Sequence, residues 1–438
     1  MQHKLILVAA VISAATLSAR SEPITFTTSL GRPVLMSDQK QTTYLKVGLT
    51  GFSGRYLERR TPVNVAIVID RSGSMAGEKL RKAKEAAIMA IDRLNSDDIV
   101  SVVAFDDTVR VLVPATKVSD KPAIDAAIER LGPGGSTALF AGVSKGAQEV
   151  HKFLDRNRVN RVILLSDGIA NVGPSSPAEL GDLGGSLIKE GVSVTTIGLG
   201  ADFNEDLMTQ LARKSDGNHG FAETAQDVVR IFNSEFGDVL SVVAQEVCVR
   251  IHCGDGVRPV RVLGREADIT GRTVTLSLNQ LYSDQQKFVV LEVEVPAMPD
   301  GRSCDIASVE VSYANMATHQ SDRLHRVATA RFTSSQREVA QNENAEVMAA
   351  AIEMIGVENN KHALELRDAG KIAEARQTLL DNSHFLAENA EKYKSESLRS
   401  YSTLNDRDAT NVDNLGDWGV NRKMMRRDQF QRGQQQSY

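Results

Sequence analysis

Hydrophobic and polar positions change their period several times along the chain. Residues 23–60 carry short alternating runs, clearest in TTYLKVGLTG, where Leu45, Val47 and Leu49 alternate with Lys46, Gly48 and Thr50. A period of two predicts half-buried strands. VNVAIVID (63–70) is nearly continuous in apolar residues, the pattern of a strand covered on both faces in a parallel sheet. GEKLRKAKEAAIMAIDRL follows, with Leu80, Ala83, Ala87, Ile91 and Leu94 at helical spacing. The cycle then repeats. Strand DIVSVVAF (98–105) leads to a helix near 120–131, the loop LGPGGST and a helix over 138–154. Strand RVILLS (161–166), a helix after Pro177, strand VSVTTIGLG (192–200) and helices at 204–214 and 225–240 complete it. Strands alternating with helices of these lengths predict a doubly wound, mostly parallel α/β domain over 61–240.

From 241 to 335 the period returns to two. CVRIHC, PVRVLG, TVTLSL, KFVVLEVEVP, ASVEVSYA and RVATARFT follow one another without helical spacing between them, which predicts a β-sandwich. The strands of 23–60 are too few to stand alone, so they are expected to complete this sandwich, with the α/β domain inserted between. Residues 338–397 return to helical spacing. Met348, Ile352 and Ile355 share a stripe, and Gly370 divides LELRDAGKIAEARQTLL into two helices. The small-residue spacing resembles one tetratricopeptide hairpin, but one copy builds no solenoid. A helical cap is expected. The stretch 405–438 is polar and locally basic, with Arg422, Lys423, Arg426, Arg427 and Arg432; it is predicted to be a disordered tail. Docking or partner binding is the other reading of Trp418, the only tryptophan.

Charge and cysteine content narrow the function classes. With 51 Lys+Arg against 56 Asp+Glu in 438 residues and a net charge of −5, the chain lacks the basic domain that nucleic acid requires. MQHKLILVAAVISAATLSAR opens with Lys4 before an apolar run over Leu5 to Leu17, with the small Ala19 following. That is the layout of a signal peptide over 1–19. No later apolar run reaches membrane-spanning length, so an exported protein is expected, periplasmic or secreted. Export permits disulfides, and alternation in VVAQEVCVRIHC makes Cys253–Cys304 the pairing guess. Three idle thiols, Cys248 included, are the alternative. No CxxC spacing points to zinc or to a redox pair.

The chemistry concentrates in three loops. Asp70, Ser72 and Ser74 in IDRSGSM follow the first parallel strand; Thr137 ends GGST before a helix; Asp167 follows strand RVILLS in LLSDG. Doubly wound sheets place ligands at the carboxyl ends of their strands. Two carboxylates and three hydroxyls there are all oxygen donors, the set that hard divalent cations take. Mg²⁺ keeps several waters in such a site, and Mn²⁺ or Ca²⁺ remain alternatives.

IDRSGSM with GGST and LLSDG resembles the metal-ion-dependent adhesion site of von Willebrand factor type A domains. D-x-S-x-S is intact at Asp70, Ser72 and Ser74, and the family's threonine and second aspartate correspond to Thr137 and Asp167. The likeness covers roughly 61–240. The flanking layout is similar to secreted bacterial proteins of this family and to inter-alpha-trypsin inhibitor heavy chains. The resemblance implies a non-enzymatic module whose protein partner supplies an acidic side chain to the bound ion. The expected rim is Arg71, Met75, Ala76, residues 106–109, Pro133, Gly134 and Ile169 to Val172, with burial in the loop core the other reading of Met75 and Ile169. A metal-dependent hydrolase is the second class. It lacks a histidine in the site loops, and Asp106 and Asp107 read as turn residues. A structural or regulatory envelope component is the third. No HExxH protease motif is present.

Overall fold

The computed structural model describes residues 24–54, 60–168, 170–414 and 418–436. The expected signal peptide and Ile169 lie outside them. The chain opens with β1 (Thr25–Leu30), β2 (Val34–Met36) and β3 (Gln41–Thr50). An α/β segment follows: β4 (Val63–Asp70), α1 (Glu78–Asp92), β5 (Ile99–Phe105), β6 (Val109–Lys117), α2 (Lys121–Glu129) and α3 (Leu139–His151). It continues through β7 (Val159–Ser166), α4 (Pro177–Lys189), β8 (Ser193–Leu199), α5 (Glu205–Lys214), β9 (His219–Ala222) and α6 (Ala225–Leu240). Seven strands come next: β10 (Val242–Cys253), β11 (Arg258–Leu263), β12 (Asp268–Thr270), β13 (Thr273–Tyr282), β14 (Gln286–Val295), β15 (Ser303–Asn315) and β16 (Gln320–Thr333). The helices α7 (Gln336–Gln341), α8 (Ala345–Asp368), α9 (Ile372–Tyr393), α10 (Glu396–Asn411) and α11 (Trp418–Gln434) close it.

The central sheet has the order β6-β5-β4-β7-β8-β9, parallel except where β6 pairs with β5. Every residue of β4 is buried. Val63, Val65, Ile67 and Ile69 face a core shared with α1, α2 and α6. Ala66 and Val68 face the opposite core, with α3, α4 and α5. The apolar run in the sequence thus reflects helices on both faces. Two strands escape the sequence pattern. In β6 only Val113 is buried, because it is an edge strand, and β9 has four residues.

The remaining strands form two sheets, β1-β3-β14-β11 and β12-β13-β10-β15-β16-β2. Their inner faces meet in one core that includes Leu45 and Val47 of β3, Leu291 of β14, Val249 of β10 and Val309 of β15. The chain leaves this sandwich after β3 and returns through α6, one residue before β10. Arg161 of β7 ties the two bodies together. Its fully buried guanidinium donates to Thr195 (3.0 Å), to Glu235 of α6 (2.5 Å), and to Gln280 and Tyr282 of β13.

The Cys253–Cys304 guess is incorrect: Cys248, Cys253 and Cys304 are all free thiols. Cys253 opposes Ala307, three positions beyond Cys304 on β15. That offset is on the order of 10 Å along a strand, beyond disulfide reach.

The disordered tail is also corrected. The chain from 405 continues α10 and then forms α11, which crosses back over α8, α5 and β9. Its charges are used internally. Arg422 pairs with Glu205 (2.5 Å), Asp206 (2.6 Å) and Asp368 (2.7 Å), and Lys423 pairs with Glu205 (2.9 Å). Trp418 packs beside Ala363 and Leu379, under the Arg367 guanidinium. Among the described residues no helix is long and apolar enough to cross a membrane.

Candidate metal-binding site

β4 delivers Asp70 to the carboxyl edge of the sheet, fully buried beside the ends of β5 and β7. The chain then leaves the sheet through a single 3₁₀ turn, Gly73–Met75. Gly77 adopts φ +83° before α1, a conformation a side chain would strain. Backbone bonds stitch this loop to the one preceding α3: Gly73 N–H donates to Gly135 C=O (2.9 Å), and Gly134 N–H to Arg71 C=O (2.6 Å). Thr137 is thereby held opposite the Asp70 loop. Its C=O accepts from Asn171 N–H at 3.1 Å, and its N–H donates to the Asn171 side chain at 2.9 Å.

The oxygen atoms converge. Asp70 Oδ1 accepts from Ser72 N–H at 2.8 Å. The hydroxyls of Ser72 and Ser74 are 3.1 Å apart, and Ser74 donates to Asp167 Oδ1 at 2.8 Å. A Cβ built at Gly168 would lie 2.7 Å from Thr137 Oγ1 and 3.2 Å from Asp70 Oδ2. Asp70, Ser72, Ser74, Thr137 and Asp167 therefore occupy one cluster. Two participants, Ser166 and Lys79, were not singled out from the sequence, and Arg71, expected on the rim, is turned to an internal ion pair. Ser166 donates to Asp70 Oδ2. Lys79, on the first turn of α1, pairs with Asp167 Oδ2. Arg71 pairs with Asp106. Lys79 is the second residue of α1 and Ser166 ends β7, so only the fold discloses their roles.

Burial, together with the Asp167 charge, pushes the Asp70 carboxyl above its ordinary range, against the bonds from Ser166 and Ser72. Two carboxylates with no exposed surface thus sit together with one ammonium, which pairs with Asp167 and leaves Asp70 without a cationic partner among the described residues. A second positive charge suits that pair. The hydroxyls add neutral oxygen ligands, and the set contains no sulfur or imidazole, so these residues fit a hard divalent cation. Among the described residues no cluster of three or more His, Cys, Asp or Glu offers another metal site.

Asp106 opens the turn between β5 and β6, as expected, but it is buried there and braces the edge. Although burial raises its pKa, bonds from Thr108 and Gly135 and the Arg71 charge prevail and hold it at about 2. Around the cluster, Ser74, Ala76, Asp107, Thr108, Pro133, Ser136, Asn171 and Val172 are exposed. Met75 does not belong to that rim: it is fully buried against Leu80 and the β4 core.

Residues 64–234 match the family model of the von Willebrand factor type A domain. The chain is 30% identical over 279 residues to the protein sll0103 of Synechocystis sp., covering 61% of this chain and 65% of that one. It is 31% identical over 171 residues to human inter-alpha-trypsin inhibitor heavy chain H2, covering 37% of this chain and 18% of that one. This chain thus spans less than two thirds of either relative. A solved von Willebrand factor type A structure from Catenulispora acidiphila superposes with a TM-score of 0.68 at 18% identity. The match takes in 87% of this chain and 90% of that chain. The likeness of fold therefore extends well beyond the α/β domain.

Proposed function

We propose, on the premise that residues 64–234 are a von Willebrand factor type A domain, that this chain is an exported, divalent-metal-dependent protein-binding module. Domains of this family typically mediate protein–protein interaction. The observation that carries the finer reading is the convergence of the Asp70 and Asp167 carboxylates with the Ser72 and Ser74 hydroxyls beside Thr137, at an edge where Ser74 is exposed. Asp70, Ser72, Ser74, Thr137 and Asp167 would hold Mg²⁺, with Mn²⁺ or Ca²⁺ as alternatives. When bound, such an ion has at most two carboxylates to neutralise it and can exchange a water for an acidic side chain of a protein partner.

This chain's own residues do the rest. Ser166 and Ser72 N–H fix both oxygens of Asp70. The Arg71–Asp106 pair holds the neighbouring loops in register. The exposed rim from Ala76 through Pro133 to Val172 contacts the partner. One ion contact gives little specificity; a stable interface buries about 1,000 Å² or more. A hydrolytic role is disfavoured by the side chains that meet here: carboxylates, hydroxyls and one ammonium already paired with Asp167, which supply no free base for a water.

The test is capture from an envelope extract with immobilised full-length chain, in Mg²⁺ or in chelator, beside Asp70→Ala. The reading expects a partner retained by the native chain in Mg²⁺ alone, lost with Asp70→Ala, and released again when one of the partner's acidic side chains is removed. Identical capture in all arms would leave a structural envelope role.

A further inference from the structure

Away from the metal-binding edge, a cavity of about 320 Å³ opens where the α/β domain, the sandwich and the helical segment meet. Four cationic side chains from three elements line it: Arg213 and Lys214 of α5, Arg265 from the loop after β11, and Lys361 of α8. Their counter-charges do not balance. Glu266 is paired with Lys214 and Glu358 with Arg261. Among the described residues, neither Arg213 nor Lys361 has an ion-pair or hydrogen-bond partner. Arg265 has only amide acceptors, Gln434 at 2.6 Å and Gln435 at 2.8 Å from α11 and the residue after it, and its buried Nε has no partner.

The one other carboxylate, Asp216, has a buried Oδ2 without a partner, and burial raises its pKa. Burial and the neighbouring guanidiniums push Lys361 down to about 8 and lower Arg213 as well. Arg213, Arg265 and Lys361 are each part-exposed toward this cavity, with Glu266 and Glu358 as the nearby opposite charges on Lys361. An anion entering the cavity can therefore reach all three.

We propose that this junction is an anion-binding site for a phosphate group, free or carried by a small phosphorylated molecule, held by Arg213, Arg265 and Lys361. Arginine forks match phosphate oxygens, and lysine adds a point charge. The volume lies at the lower end of the range for small-molecule sites. Because its cations come from the α/β domain, the sandwich loop and α8, occupancy locks the three bodies in one arrangement. It is independent of the metal at Asp70.

The full-length chain, stripped of metal by a chelating resin, is titrated calorimetrically with inorganic phosphate and with glycerol 3-phosphate. Sodium chloride of equal ionic strength is the control. A parallel series uses Asp70→Ala, which leaves this cavity untouched. We expect saturable binding in both proteins and a rise of several degrees in melting temperature at a hundredfold excess over Kd. Tighter binding of the ester assigns a phosphorylated metabolite; tighter binding of the inorganic ion assigns free phosphate. Lys361→Met and Arg213→Met each weaken binding at least tenfold, and Lys361→Arg retains binding. The proposal is overturned if neither phosphate binds, if chloride reproduces the response, or if both methionine variants keep native affinity.

Discussion

Replacing Gly168 by alanine tests whether the oxygen cluster is a working coordination shell. A Cβ at 168 sits 2.7 Å from Thr137 Oγ1, 3.1 Å from Thr137 Cγ2 and 3.2 Å from Asp70 Oδ2. Thr137 is β-branched and anchored through its backbone to Gly168's own neighbours at Asn171 and Val172. It has little rotamer freedom to yield, and Asp70 is fixed at both oxygens. Relief by half an ångström or more, on the order of the overlap, exceeds the roughly ±0.2 Å tolerance of metal–ligand distances. Losing one oxygen ligand costs about 1–3 kcal/mol, roughly 5- to 150-fold in affinity. Overpacking also lowers fold stability by about 1–3 kcal/mol. The assay is calorimetric titration of Mg²⁺ and Mn²⁺ into native and Gly168→Ala protein, with urea unfolding in chelator to separate affinity from stability. Gly185→Ala is the control: it lies in α4 with nothing within 4 Å of its Cβ and should gain roughly 0.5–1 kcal/mol. Affinity for both ions within twofold of native in Gly168→Ala would refute the role given to Thr137.

Three further outcomes follow from named contacts. Lys79→Met removes the ammonium on Asp167; divalent-ion affinity should rise about tenfold while metal-free stability falls, so the melting temperature gained on adding Mg²⁺ grows. Asp106 is held near 2, below its ordinary 3.8. Its contribution, about 2 kcal/mol, is therefore fully present above pH 4 and is lost as pH falls through 2. Urea unfolding of native and Asp106→Asn protein should show a stability gap constant from pH 5 to 7 that narrows below pH 4; a gap that stays constant to pH 2 contradicts the ion pair. Arg161→Leu strands Glu235 in the junction between α/β domain and sandwich, and should cost about 3–5 kcal/mol in equilibrium unfolding.

The parallel core was legible because burial on both faces leaves β4 and β5 largely apolar and gives β7 the unbroken run Val162–Leu165. Asp70 and Asp167 could be located from the same signal, since each closes or follows such a run. Elements whose stability comes from partners distant in sequence were not legible. β6 is half exposed, so its alternation is weak. α11 looked like a solvated charge run because its arginines meet acids more than two hundred residues earlier in the case of Glu205, and an Asn–Gln network buries Gln429 against Asn360 at 2.7 Å. The cysteine guess failed because alternation gives the face of a strand, but the register that separates Cys253 from Cys304 is set by β10 pairing with β15. Met75 and Lys79 differ by one turn in sequence, yet one enters the β4 core and the other reaches Asp167; local pattern does not distinguish them.

The central claim is that five side chains from three loops bind one divalent ion. Anomalous diffraction from crystals of the full chain soaked in Mn²⁺ tests it most directly. The account predicts one strong peak, at roughly 2.0–2.3 Å from the hydroxyl oxygens of Ser72 and Ser74, next to Thr137 and the two aspartates, and absent from Asp70→Ala crystals. A native crystal with no peak at this edge, or a peak that survives Asp70→Ala, would contradict it.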